Sequence, residues 1–399
     1  MSERLSAPWL ADLEVARVME ALAAGGRPAR FVGGSVRDAL LDPAADTMDL
    51  DIASPERPER VMKLVAAVGF RPLPTGLRHG TVSIVRQQRR FEITTLRRDV
   101  ATDGRHAVVE FTDDFAADAA RRDFTINAMS CEADGTLHDP MGGRADLAAG
   151  RVRFVGDPAR RIAEDYLRIL RFFRFHARFG LEEPDAAALA ACTAAAAGID
   201  GLSGERVRQE LWLILAQAEP LRALEPMAAT SVLAHVVPGP LHLERLRPDG
   251  LGSDPLLRLA VLVRPSTSHR AEALAERLRL SNQEQERLSA LMTTALPGGD
   301  DRAQRVALHR LGADRYRDLV RLDVAAGELT PEEGRHRLGL ADQWQAPAFP
   351  LSGADLLALG IPEGRALGQI LARVRLAWEE SDFSLDRAEC LALSRDLTL

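Results

Sequence analysis

Phe31-Val-Gly-Gly-Ser-Val-Arg-Asp38, followed after ten residues by Asp49-Leu-Asp51, decides how this chain is read. Phe31-Val32 is the apolar end of a strand. Gly33 and Gly34 let the backbone turn tightly and approach a ligand with no Cβ in the way. Ser35 to Leu41 reads as helix, so the turn aims free N–H groups and a positive dipole end at one point, which suits phosphate. Arg37, on the first helical turn, can add a guanidinium to the same anion. Met48-Asp-Leu-Asp-Ile52 reads as a strand whose period of two puts Asp49 and Asp51 on one face and Leu50 and Ile52 on the other. Two adjacent carboxylates repel unless a cation lies between them. Hard oxygen donors at this spacing suit Mg²⁺, which keeps waters and takes substrate phosphates as further ligands. Asp-x-Asp alone is a weak signal; its place just after a glycine turn gives it specificity.

At 399 residues the chain is too long for one ordinary core and suggests two to four domains. No apolar run is long enough to span a membrane, and the N-terminus has no signal-peptide pattern. Cys131, Cys192 and Cys390 are scattered and odd in number, so they suggest neither a disulfide framework nor a metal site, and a cytoplasmic location is expected. The net charge of −7 argues mildly against nucleic acid, although local charge matters more than the sum. Nothing calls for an obligate protein partner.

Outward from the central stretch, residues 5–25 carry apolar positions at helical spacing and end at Gly25-Gly26. Pro58 to Val68 reads as a helix stopped by Gly69. Gly80–Val85 and Arg90–Leu96 read as paired strands. In the second, Glu92 and Thr94 share one face, making Glu92 either a third carboxylate or a solvent-facing strand residue. Residues 97–118 read as a charged loop, either covering a substrate or merely exposed. In Arg121-Arg-Asp-Phe-Thr-Ile-Asn-Ala-Met129, two arginines could hold a triphosphate by forked hydrogen bonds and Asn127 could reach a sugar hydroxyl; the alternative is an amphipathic helix start. His138-Asp139 sits in a turn with Pro140 and Gly142-Gly143, which excludes a metal-dependent HD hydrolase. Asp157-Pro158 caps a helix carrying Glu164, Asp165, Arg168, Arg171, Arg174 and Arg178. Asp165 and Arg168 fall on one face, where an ordinary intrahelical salt bridge is the simplest reading. Beyond about residue 185 only helical stretches appear, between Gly and Pro stops. Their arginines, Arg206, Arg258, Arg277, Arg279, Arg305 and Arg310, either face water or contact a phosphate backbone.

A glycine turn followed closely by a two-carboxylate strand resembles the nucleotidyltransferase superfamily of the DNA polymerase β type. Four motifs in order, Gly33-Gly-Ser-Val-Arg-Asp38, Asp49-Leu-Asp51, Arg121-Arg-Asp-Phe-Thr-Ile-Asn127 and Glu164-Asp-Tyr-Leu-Arg168, make the chain similar to class II tRNA nucleotidyltransferases, the CCA-adding enzymes, a family that includes bacterial poly(A) polymerases. The resemblance implies an α+β head, a mixed polymerase-β-like sheet with helices, over 1–150. A helical neck with a nucleotide-selecting helix would span 151–215, and an all-α body and tail for tRNA binding 216–399. It implies Mg²⁺ on Asp49 and Asp51, with Glu92 as a supporting catalytic carboxylate. It places the nucleotide against Gly33, Gly34, Arg37, Arg122 and Asn127, and against Asp165, Arg168, Arg171 and Arg174 from the neck. Asp99 to His106 matches the family's flexible loop and favours complete CCA addition. The substrates would be CTP, ATP and tRNA. An acceptor on Asp165 and a donor on Arg168 would fit the edges of C and A and reject U and G without a template. The expected alternatives are a poly(A) polymerase, a CC- or A-adding enzyme, a non-catalytic RNA-binding relative and a second-messenger synthetase. The absence of a basic extension after Asp396-Leu-Thr-Leu399 weighs against the first. No second metal cluster follows residue 180, so no phosphatase activity is expected.

Overall fold

Alternation along two short runs builds the sheet that carries the site. Leu50 and Ile52 on one strand, and Phe91 and Ile93 on its neighbour, are fully buried, while Asp49, Asp51 and Glu92 point to the opposite face. The computed structural model describes residues 4–77, 80–86, 89–102, 107–181, 183–247, 250–264 and 267–397. The chain divides into two compact units, Met1–Gly239 and Pro240–Leu399.

In the first unit the strands are β1 (Arg30–Val32), β2 (Asp49–Ser54), β3 (Pro72–Gly76), β4 (Thr81–Arg86), β5 (Arg89–Thr95), β6 (Arg97–Thr102), β7 (Ala107–Phe111), β8 (Ser130–Cys131) and β9 (Leu137–His138). Seven of them form one sheet in the order β3-β4-β5-β2-β1-β8-β9. Only β2 and β5 run parallel in it, in a register that sets Asp49 beside Arg90 and Asp51 beside Glu92. The edge strand β3 carries Pro72 and Pro74, which an edge tolerates because a missing N–H breaks no inner ladder. Helices α1 (Leu13–Ala23), α2 (Gly34–Leu41) and α3 (Pro58–Ala67) flank the sheet. Asp12 caps α1 by accepting from the Glu14 and Val15 N–H groups, so the helix expected over 5–25 begins later, after a tight turn at Pro8–Ala11.

The segment 97–118, expected as loop, instead forms an antiparallel hairpin of β6 and β7 and then α4 (Phe115–Ala120). Residues 103–106, at the tip of the expected flexible loop, lie outside the described residues. The stretch Arg121–Met129 is no helix start: Arg121 ends α4, and Thr125–Asn127 makes a single tight turn before β8. His138 ends β9, and Asp139, at the turn that follows, accepts from the Gly143 and Arg144 N–H groups at the start of α5 (Gly143–Ala148).

The long helix expected after Asp157 is two helices, α6 (Pro158–Glu164) and α7 (Leu167–Phe179). The chain breaks at Asp165, whose backbone is extended. A block of rings packs α7 on the Arg121–Met129 segment: Phe124 lies 4.8 Å from Phe154 and 5.3 Å from Phe175, and Phe154 stacks at 5.8 Å on Phe172. Helices α8 (Ala186–Ala194), α9 (Gly204–Leu215), α10 (Leu221–Ala229) and α11 (Val232–Val236) complete the first unit. The last two were not anticipated; Pro226 inside α10 masked its period.

Every regular element among the described residues of the second unit is a helix. It comprises α12 (Pro255–Val263), α13 (Ser268–Arg277), α14 (Asn282–Thr293), α15 (Asp301–Leu311), α16 (Ala313–Ala325), α17 (Pro331–Gln343), α18 (Gly353–Ala358), α19 (Arg365–Glu380) and α20 (Arg387–Asp396). Reciprocal caps start several of these helices, Ser281 with Glu284 and Thr330 with Glu333 among them. Two of the arginines expected to face water or phosphate are held in ion pairs: Arg305 forks onto Asp382, and the exposed Arg310 pairs with the buried Glu379. Arg258 lies buried in α12.

One glycine tests how tightly α5 is set against the Arg121–Met129 segment. A Cβ on Gly143 would fall 2.0 Å from the Thr125 carbonyl oxygen. Gly143→Ala is therefore expected to lower unfolding free energy by about 1–3 kcal/mol in a denaturant titration, whereas Gly142→Ala, which meets open space at positive φ, should cost less.

Candidate functional site

The site forms where β1 ends and α2 begins. Gly33 adopts φ 73° and ψ −134°, a conformation that glycine enters without strain, and α2 starts at the next residue. A Cβ at Gly33 would lie 3.5 Å from Asp51 Oδ2 and 3.6 Å from an Arg122 terminal nitrogen. The turn, the carboxylate strand and the Arg121–Met129 segment therefore meet at one point. Arg122 is fixed there by Asp118 at 3.1 Å, and Asp118 also binds Arg121. Burial works to raise the Asp118 pKa, but the two arginines hold it below the usual carboxylate range, so it stays an anion.

Asp49 and Asp51 are open to solvent on the same face of β2. The pKa of Asp51 is nevertheless raised: desolvation by the protein around it comes first, the charges of Glu92 and Asp49 add to the rise, and Arg122 and Arg90 offset part of it. The cluster thus holds more negative charge than its cations balance, and its donors are all carboxylate oxygens. That is chemistry for a hard divalent cation. Among the described residues no three His, Cys, Asp or Glu side chains converge enough to hold an ion by themselves. An ion here would take Asp49 and Asp51 and fill its shell from phosphates and water. Glu92, beside Asp51 in register, is ion-paired to Arg90 on its own strand.

Arg37 and Asn127, expected to meet phosphate and sugar, are turned inward. Arg37 is only 5% exposed; it donates to Asp38 at 2.9 Å and to Asn127 Oδ1 at 2.5 Å, and lies over the Phe179 ring at 4.3 Å. Its guanidinium lies 3.4 Å from where a Cβ on Gly34 would be, so it braces the turn from behind. Burial holds its pKa below the usual guanidinium value despite Asp38. Asn127 passes the contact on, donating to Asp123 Oδ1 at 3.2 Å.

On the helices, Asp165 and Arg168 do not form the expected pair. The chain break gives Asp165 a different role: its Oδ1 caps the Leu167 N–H at 3.1 Å, and its Oδ2 accepts from Arg206 on α9 at 2.6 Å. Arg168 donates to Glu164 at 2.6 Å and to the Arg161 carbonyl at 2.7 Å. Arg171 binds Asp123 at 2.8 and 2.5 Å and approaches Glu210 at 3.5 Å. Arg174 donates to Glu210 at 2.6 Å. Burial works to raise the Asp123 pKa, but the Arg171 charge and fork and the N–H groups of Asn127 and Phe124 hold it below the usual range. Arg161, also from α6, is buried and donates to the carbonyls of Arg121 and Arg122.

Sequence reasoning assigns no part to Asp118, Arg161 or Glu210, and it reads Arg206 as facing water or a phosphate backbone, whereas Arg206 binds Asp165. Glu164 and Asp123 stood in the quoted motifs without roles. The i,i+4 spacing of Glu164 and Arg168 was a legible signal. The Arg206 and Glu210 contacts join α9 to α7 and leave no local pattern.

Residues 29–153 match the family model of the poly A polymerase head domain, and residues 183–242 match the model of the probable RNA and SrmB-binding site of polymerase A. The mouse (Mus musculus) mitochondrial CCA tRNA nucleotidyltransferase 1 is 35% identical over 378 residues, covering 91% of this chain and 85% of that protein. A CCA-adding enzyme of Levilactobacillus brevis is 31% identical over 382 residues, covering 90% and 92%. The Bacillus stearothermophilus CCA-adding enzyme in complex with CTP is similar in fold, with a TM-score of 0.76 at 24% identity over 96% of each chain. The Thermotoga maritima CCA-adding enzyme complexed with tRNA gives 0.68 at 20% identity over 99% of each.

The Asp51 shift has a sign that melting experiments can read. Its pKa is higher folded than unfolded, so the folded state binds the extra proton between the two values and stability falls as pH rises through that window. Asp51→Asn removes this cost. It should raise Tm at neutral pH, with the gain vanishing below the ordinary aspartate pKa near 4. A gain that persists at pH 3 would assign the effect to something other than charge.

Proposed function

The chain belongs to the CCA tRNA nucleotidyltransferase family, and on that premise we propose that the meeting point of Gly33, Asp51 and Arg122 is where nucleotides are transferred to a tRNA 3′ end. The protein adds the terminal CCA to tRNA from CTP and ATP, without a nucleic-acid template, and releases pyrophosphate. The observation that supports the site is the closeness of an anion donor set and a guanidinium to a bare glycine backbone.

The residues divide the work. Gly33 and Gly34 bring the N-terminus of α2 against the triphosphate, and Arg122, held by Asp118, neutralises charge on the same side. Arg37 and Asn127 keep the turn in shape. Asp49 and Asp51 would hold Mg²⁺, which when bound would lower the pKa of the attacking hydroxyl and neutralise charge on the departing pyrophosphate. Positioning and charge neutralisation then provide most of the rate of the in-line displacement.

Base choice belongs to the break between α6 and α7. Asp165 accepts from the exocyclic amine of C or A, and Arg168 donates to the neighbouring ring nitrogen. U and G present a carbonyl and a protonated nitrogen at those places. Each mismatch should cost about 1–3 kcal/mol. Arg206 and Glu164 hold the two readers in place, Asp165 against α9 and Arg168 against α6. Arg171 and Arg174, bound to Asp123 and Glu210, support the same wall.

We read residues 1–150 as the catalytic head, 151–215 as the neck and 216–399 as a body and tail that bind tRNA. No described helix is long and apolar enough to cross a membrane. Three free, buried cysteines support a cytoplasmic location.

A primer-extension assay tests the function. Purified protein with Mg²⁺ and a tRNA transcript lacking CCA should add two nucleotides from CTP alone and three from CTP with ATP. Asp49→Ala and Asp51→Ala should each lose about a thousandfold or more in rate. Long A tails from ATP alone would reassign the protein to poly(A) synthesis, and a stop at CC with both nucleotides would reassign it to CC addition. Arg206→Ala should raise misincorporation of UTP relative to CTP by about tenfold, read at single-nucleotide resolution.

A further inference from the structure

Sheet order separates the two sides of the reacting phosphorus, and one exposed cation on the far side has no part in the scheme above. β1 carries the glycine turn and flanks β2 on one side; β5 flanks β2 on the other. On the nucleotidyl-transfer reading, on which this inference rests, the triphosphate lies toward Gly33 and Arg122. In-line displacement puts the attacking hydroxyl opposite the leaving pyrophosphate. The RNA 3′ end therefore approaches over β5.

The carboxylate face of β5 there presents Arg90, Glu92 and Thr94. Arg90 stands beside Asp49 in register, with its side chain half exposed, and its guanidinium rests on Glu92 two residues along the same strand. Arg122, the other cation at the cluster, is only 20% exposed and is anchored to the buried Asp118. The two are built differently. One is fixed by a buried anion; the other is held by a solvent-exposed pair of a kind that contributes little and yields readily to a better anion. Beyond Arg90 the same face continues as hydroxyls, with Thr81 and Thr94 paired at 3.1 Å across β4 and β5. It gives an RNA strand hydrogen-bonding groups and adds no further negative charge.

We propose that Arg90 binds the phosphate of the RNA primer's terminal nucleotide, exchanging Glu92 for that phosphate when the acceptor end docks. The exchange seats the 3′-hydroxyl over Asp49 and Asp51 and releases the Glu92 carboxylate beside Asp51. The carboxylate cluster is thereby completed only when RNA is present. An acidic cluster repels an RNA end, and Arg90 is the group that makes docking there favourable.

The test crosses one protein change with one RNA change. The full-length protein and its Arg90→Gln and Arg90→Lys variants are given two tRNAs lacking CCA, one natural and one with a neutral methylphosphonate at the last linkage. Arg90→Gln should raise KM for natural tRNA about tenfold and move KM for CTP less than twofold. The methylphosphonate should do the same to the unaltered protein, and the two changes together should cost no more than either alone. Arg90→Lys should restore most of the loss. Tight binding followed by anisotropy should show a salt slope shallower by about 0.7 in Arg90→Gln, a readout independent of catalysis. Additive effects, an unchanged salt slope, or a rise in KM for CTP alone would overturn the proposal. Failure of the unaltered protein to extend either tRNA would instead remove the transfer reading beneath it, while the salt slope would still report whether Arg90 meets phosphate.

Discussion

The carboxylate of Asp123 is the joint on which the site depends. One oxygen accepts from the Phe124 N–H and from Asn127; the other accepts the fork of Arg171. Through Asn127 the contact reaches Arg37 and the glycine turn. Through Arg171 it reaches Glu210 and Arg174. A buried carboxylate is costly unless every lone pair is used, and breaking such a pair on one side costs about 3–5 kcal/mol. The arrangement therefore has one well-defined state. The glycine turn and α7 are set against each other by a charge network, and Phe124, Phe154, Phe172 and Phe175 exclude water beside it.

This explains how a chain of net charge −7 can serve an RNA substrate. Many of its arginines are not a coat for phosphate. They are structural ties: Arg161 to two backbone carbonyls, Arg168 to Glu164, Arg264 to the buried Asp323 at 2.7 Å, Arg305 to Asp382. The planar five-donor head of arginine suits that work because it can bind two acceptors in a fixed geometry. Net charge thus counts the acidic partners of these ties along with the free surface.

The sequence made the local parts legible. The glycine turn, the alternating strand Asp49–Ser54, the partner strand through Glu92 and the Asp157 cap all stand where period and capping rules put them. What escaped was set by tertiary contact. The break at Asp165 has no glycine or proline to announce it; it is held by Arg206, forty-one residues on. The hairpin of β6 and β7 lies within a charged stretch that has no apolar alternation at its start, and β3 carries two prolines. Arg37 and Asn127 carry the polar side chains of a ligand site, and only burial reveals that they face each other.

The parallel register of β2 and β5 gives the head a parity. Along β2 through Ile52 and along β5 polar and apolar residues alternate, so a change of one residue in the length of either would exchange Asp51 for Leu50 or Ile52, or Glu92 for Phe91 or Ile93. It would turn the charges into the core and the core into water at one stroke. An insertion or deletion within β2 or β5 is therefore far costlier than one in the connections between strands.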